Sequence, residues 1–203
     1  MIKILLASSN KGKINEIKKC FSGLNLEFVS LDNYPDLQEL DEDGNSFKEN
    51  ALKKARVRAE SSGLITFADD SGLEVDALAG KPGIYSARYA GENASDEENN
   101  RKLLKELAGL SREKRKANFR TVAVLVNPAD DYEGIVEGIC DGYILESPRG
   151  NNGFGYDPLF YLSDLGKTMA ELSVEEKNKI SHRGKALRKM NKLIKNRYFN
   201  VCV

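Results

Sequence analysis

Ile2 to Ala7 is an apolar run of strand length that stops at Ser8; Ile14, Ile17 and Phe21 then recur at helical spacing, and Leu26 to Leu31 is a second strand-length run. Strand, loop, helix, strand is a βαβ opening, and two strands joined by a helical crossover pair in parallel. The opening run is too short for a signal-peptide core or a membrane span, so it reads as a buried first strand.

The same alternation continues. Ser46 and Glu49 have the S-x-x-E spacing of a capping box, and Phe47, Ala51, Ala55 and Ala59 follow four apart, which predicts a helix. Leu64 to Ala68 reads as a buried strand ending at Asp69-Asp70-Ser71-Gly72, and Leu73 to Ala77 alternates like a second, half-exposed one. Gly80 to Gly83 carries turn residues. Ser95 with Asp96, Glu97 and Glu98 predicts a helix start, with Leu103, Leu104 and Leu107 as its inner face. Phe119 to Val126 and Ile135 to Leu145 read as long antiparallel strands, and Leu159 to Leu162 as a short one. Ser173 with Glu176 forms another capping box, and Ser181 starts a final basic helix. Helices and strands intermix throughout, which makes the class α/β.

Three polar segments fall where this reading has a strand ending, the usual place for ligands in an open α/β sheet. In Ser8-Ser-Asn-Lys-Gly-Lys13, backbone N–H groups, a helix start and two lysines make an anion cradle; the alternative is a surface turn with solvated lysines. Asp69 and Asp70 leave an apolar strand together, which is costly unless they meet a cation, a donor or water. Magnesium takes one or two protein carboxylates plus substrate phosphates, and the acidic stretch Glu39 to Asp43 offers Glu42 as a second ligand. The other reading has Asp69 capping a turn and Asp70 solvated. In Gly150 to Pro158, glycines around Phe154 allow close approach of a ligand and an aromatic ring to stack on a base, although Phe154 and Tyr156 also suit the core. Asn50 and Lys54 lie four apart and share a helix face. Lys177 to Arg197 holds nine basic and no acidic residues around Leu187, Met190, Leu193 and Ile194, the pattern of a solvated helix face over an apolar stripe.

Composition narrows the partners. With 31 basic and 31 acidic side chains the net charge is zero, which argues against a nucleic-acid coat or a membrane-surface protein. Cys20, Cys140 and Cys202 are scattered, so neither a disulfide framework nor a thiolate zinc site is expected, and a reduced cytoplasmic setting fits. A single histidine, His182, excludes a multi-histidine metal site.

Six stretches together resemble the inosine triphosphate pyrophosphatase family, the non-canonical purine NTP pyrophosphatases, and occur in its order: Ser8–Lys13, Ser46–Ala55, Phe67–Leu73, Gly83–Gly91, Gly153–Pro158 and Ser181–Gly184. The resemblance implies one domain over residues 1–203, an elongated two-lobed fold around a long mixed sheet with flanking helices, a substrate cleft between the lobes, and a homodimer. It implies that Ser8, Ser9, Asn10, Lys11, Gly12 and Lys13 bind the triphosphate, and that Glu42 and Asp70 hold Mg2+. Asp70 is also implied as general base, Lys54 as the catalytic lysine in preference to Lys53, and Ser71 as a substrate contact. Phe154, Gly155, Tyr156, Asp157, Lys177, His182 and Arg183 match nucleoside-recognising positions. The implied reaction is hydrolysis of ITP, dITP and XTP to monophosphate and pyrophosphate. A donor such as Arg183 or His182 aimed at the 6-keto oxygen would favour these bases over adenine. The alternatives are a broader nucleotide phosphohydrolase, a nucleotide-binding regulator without turnover, and a nucleic-acid module built on the basic final helix.

Overall fold

The structure is a computed structural model that describes residues 1–34, 37 and 40–199. Glu39 of the acidic stretch and Cys202 lie outside the described residues. Strand β1 (Ile2–Leu6) is followed by helix α1 (Lys11–Cys20), β2 (Leu26–Ser30) and α2 (Phe47–Ser62). Strand β3 (Ile65–Val75), α3 (Asp96–Glu106), β4 (Lys116–Asn127) and β5 (Tyr132–Ile144) come next. The chain closes with β6 (Phe160–Leu162), β7 (Lys167–Thr168), α4 (Val174–Ile180) and α5 (His182–Tyr198). Among the described residues the strands form one mixed sheet in the order β2-β1-β3-β4-β5-β6-β7. Strand β1 pairs in parallel with β2 and β3, as the βαβ opening predicts, whereas β6 runs antiparallel to both β5 and β7.

The predicted strand end at Asp69 is absent. The two predicted strands merge into one 11-residue strand, Ile65–Val75, that passes straight through Asp69-Asp70-Ser71-Gly72. Polarity mimicked a break there; the backbone stays extended because helices on either side supply cations to the two carboxylates. What ends at this level is the neighbour: β1 stops opposite Phe67, and the Ala7 N–H donates to the Phe67 carbonyl. The loop after β1 is also shorter than expected. Asn10 is the N-cap of α1, its side chain accepting from the Lys13 N–H, so Lys11, Gly12 and Lys13 belong to the first helical turn.

The chain divides into two compact units. The first comprises Met1–Asp70, Thr121–Gly138 and Arg183–Val203; the second comprises Ser71–Arg120 and Ile139–His182. In the first, alternation sends Ile4, Leu6 and Phe67 to one sheet face, where they form a core with Ile17 and Phe21 of α1 and Leu187, Met190 and Ile194 of α5. Helix α2 starts at its predicted cap, the Ser46 side chain accepting from the Glu49 N–H, although Glu49 reaches back one residue further than a capping box requires, to the Asn45 N–H. The second unit has its own core of Leu73, Val75, Leu103, Phe119, Leu159 and Phe160, among others. The capping boxes at Ser95 and Ser173 both form. Among the described residues no helix is long and apolar enough to cross a membrane.

Candidate active site

Adjacent residues on a strand face opposite ways, and this divides the labour of Asp69 and Asp70 in the first unit. Asp69 shares the parity of Phe67 and meets α1 and α5. Its Oδ2 lies 3.4 Å from Lys13 Nζ and accepts from Arg183 Nε at 3.3 Å. Arg183 Nη1 donates to Glu16 Oε2 at 2.7 Å, so buried Glu16, Arg183 and Asp69 continue into half-buried Lys13 as a chain of alternating charge. Asp70 faces α2. Asn50 Nδ2 donates to Asp70 Oδ2 at 3.1 Å and Lys54 Nζ lies 3.6 Å from Asp70 Oδ1, so the four-residue spacing of Asn50 and Lys54 brings both to one carboxylate. Lys54 Nζ also donates to Glu42 Oε1 at 2.7 Å. The neighbours turn elsewhere: Lys53 pairs with Asp43 and with the Asp41 carbonyl. Both reservations about Asp69 and Asp70 fall away, because neither caps a turn and neither is solvated.

The electrostatics follow from burial and these partners. Burial pushes the Asp70 carboxyl above the ordinary aspartate range, and Glu42 adds to this against the pull of Lys54 and Lys13. Burial acts the same way on Asp69, but Lys13, Arg183 and Lys54 outweigh it and hold that carboxyl well below the usual range. Burial draws the Lys13 amine down despite Asp69. On Lys54, burial is overcome by Asp70, Glu42 and Asp69, and the amine is held above its usual value. One strand therefore presents, side by side, a carboxyl held below the ordinary aspartate range and another pushed above it.

The donors around Lys54 are carboxylate oxygens, a set that suits a hard cation such as magnesium rather than zinc. Lys54 bridges Glu42 and Asp70, which marks the pair as a place already tuned to positive charge. Glu42 and Asp70 are the carboxylates that would hold a divalent ion, although among the described residues no group of three or more His, Cys, Asp or Glu side chains is gathered for one.

The second unit holds the other predicted cluster. Gly153 has φ +82°, and a Cβ there would lie 2.0 Å from Asp157 Oδ2, so only glycine lets the loop close on that carboxylate. Asp157 Oδ2 accepts from the Phe154 N–H at 3.0 Å and from Lys177 Nζ at 2.8 Å. Lys177 Nζ sits 5.2 Å from the centre of the partly buried Phe154 ring. His182 stacks on Phe119 at 4.6 Å with an 18° interplanar angle. Ser71, the residue after Asp70, is half-buried.

Two expectations need correction. Tyr156 is a core residue: its ring is buried in the second unit's cluster and its hydroxyl donates to the Ser86 carbonyl. Lys177 is no solvated member of a basic face; the run from Lys177 to Arg197 breaks at Ser181 into two helices, and Lys177 is buried against Asp157. Arg183 directs Nε and Nη1 to carboxylates of the first unit. Sequence reasoning missed Glu16 and gave Asp69 no role. The usable signal for Glu16 was an acid one turn after Lys13, on the helix face that also carries Ile17 and Phe21.

A family model described as the Ham1 family matches residues 4–193. The dITP/XTP pyrophosphatase of Geobacter sulfurreducens is 54% identical over 187 residues, covering 92% of this chain and 94% of that protein. The dITP/XTP pyrophosphatase of Bacillus anthracis is 49% identical, covering 96% of each. Among solved structures, a HAM1 protein from Coxiella burnetii superposes with a TM-score of 0.88 at 41% identity, covering 97% of this chain and all of the other.

Proposed function

This chain belongs to the Ham1 family, and on that premise we propose that it hydrolyses non-standard purine nucleoside triphosphates, dITP, XTP and ITP, to the monophosphate and pyrophosphate. The observation that carries the reading is Asp70: a buried carboxyl raised above the ordinary aspartate range, oriented by Asn50 and flanked by Lys54 and Glu42. Such a group orients a water molecule and accepts its proton as the oxygen attacks phosphorus. Lys13 and Lys54 neutralise the charge that accumulates on the pyrophosphate leaving group. Ser8, Ser9, Asn10, Lys11 and Gly12 line the start of α1, where main-chain N–H groups and the helix dipole favour an anion. Glu42 and Asp70 would hold a divalent ion, Mg2+ by the oxygen character of the set, which when bound adds positive charge beside the phosphates.

Phe154 is assigned to stacking on the base, with Gly155 allowing its approach and Asp157 and Lys177 holding its loop. The donor to the 6-keto oxygen is assigned to Arg183 or His182, and Ser71 to a substrate contact. Residues 1–203 are proposed to act as one domain in a reduced cytoplasmic setting, with the protein a homodimer; a monomeric mass by light scattering would remove the last point. No nucleic-acid or membrane partner is proposed. The deciding experiment is Asp70→Asn: the fold is kept and kcat for ITP falls by ~10²-fold or more. Unchanged pyrophosphate release from that variant refutes Asp70 as the base.

A further inference from the structure

We propose that Asp96 and Asn100 of α3 are positioning residues that fix the nucleoside loop by clamping the main chain of Gly155, an inference that rests on the assignment of Phe154 to the base. The Gly155 N–H donates to Asp96 Oδ2 at 2.6 Å, and Asn100 Nδ2 donates to the Gly155 carbonyl at 2.9 Å. The two side chains are four apart on one helix, so they lie one above the other and straddle a single residue.

Gly155 needs this more than its neighbours do. Phe154 is tied through its N–H to Asp157, and Tyr156 through its hydroxyl to Ser86. Gly155 has no side chain to be held by, and its φ of +60° is one among many it can adopt. Released, it would let Phe154 swing away from Lys177.

The clamp is itself rigid. Asp96 sits in the first turn of α3, where the Ser95–Glu98 capping box fixes the backbone. Between the two clamping residues, Asn99 is committed elsewhere; its Nδ2 donates to the Ala87 carbonyl and its Oδ1 accepts from the Ala90 N–H. The Gly83–Gly91 stretch, which the proposed chemistry does not use, thereby gains a purpose. It anchors α3 through Asn99 and takes the Tyr156 hydroxyl at Ser86, so helix and loop share one support. Asp96 is exposed and Asn100 half-buried, so both can be replaced without opening the core.

The test uses the full-length protein with ITP and dITP. Asp96→Ala and Asn100→Ala should each raise KM about fivefold, the worth of one hydrogen bond, while kcat stays within about twofold. Asp96→Asn keeps the acceptor but removes the charge and should return KM to near the wild-type value. Asn100→Asp keeps the size but loses the donor and should behave like the alanine variant. Amide exchange at Gly155 should quicken in Asp96→Ala, a readout that needs no turnover. The proposal is overturned if both alanine variants keep the wild-type KM, if Asp96→Asn is as impaired as Asp96→Ala, or if the loss falls on kcat together with Tm. Should the wild type hydrolyse none of these triphosphates, the nucleoside assignment fails, and exchange at Gly155 alone decides whether the clamp exists.

Discussion

Asp69 and Asp70 are chemically identical neighbours with opposite fates, because strand alternation hands one to α1 and α5 and the other to α2. Their pH behaviour should differ in sign. Asp69 is held in its charged form, so the stability it contributes is full above its unfolded pKa of 3.8 and is lost as pH falls toward its lowered folded value. Asp69→Asn leaves Arg183 and Lys13 short of a partner and should cost about 3–5 kcal/mol at pH 7, with the gap to wild type closing in strong acid; denaturant titration at both pH values checks this. Asp70 is raised, so its burial penalises the charged form. Asp70→Asn should match or exceed the wild-type Tm at pH 7, with the gain disappearing below about pH 4. A clear fall in its Tm at pH 7 would mean that Asp70 is structural first. Adjacent carboxylates in an apolar run were visible in the sequence; which one faces which cations was not, since that depends on helices placed tens of residues away.

At the level of elements, local rules hold wherever only local structure is at stake and break where a ligand is expected. Ser46, Ser95 and Ser173 all cap helices at their predicted positions. Ser46→Ala should lower stability by about 1 kcal/mol without altering KM, which thermal melts and steady-state kinetics separate. Helix α1 breaks the rule: its first turn carries Lys11 and Lys13 and no acid, placing positive charge at the positive end of the helix dipole. An anion at that end would relieve the conflict. Asn10→Ala should therefore cost about 1 kcal/mol in the free protein and also weaken triphosphate binding, seen as a raised KM. Strand β3 is where reading by elements failed, because a polar stretch inside a strand and a loop between strands look alike when the paying cations lie elsewhere in the chain.

Across the whole molecule, the proposed chemistry makes two demands that no single element meets. Chelation with EDTA should stop pyrophosphate release, and excess Mg2+ should restore it; full activity in EDTA removes Glu42 and Asp70 as ion ligands. A site built to donate to a keto oxygen should prefer ITP over ATP by up to ~10⁴-fold in kcat/KM, and similar values for both would refute the base assignment. The α/β class, the βαβ opening, most helix starts and the six family segments were legible from sequence because each depends on residues within a turn or two of one another. The pairing of Lys54 with Glu42 and Asp70, and of Lys53 with Asp43, needed the folded chain, as did the burial of Lys177 and Tyr156 and the hydrogen bonds of Arg183 to Glu16 and Asp69. Hydrophobic period and capping are written in local spacing, whereas the partner of a buried charge is set by which distant segments pack beside it; only the tertiary structure brings Glu16 and Arg183, 167 residues apart, into one hydrogen bond.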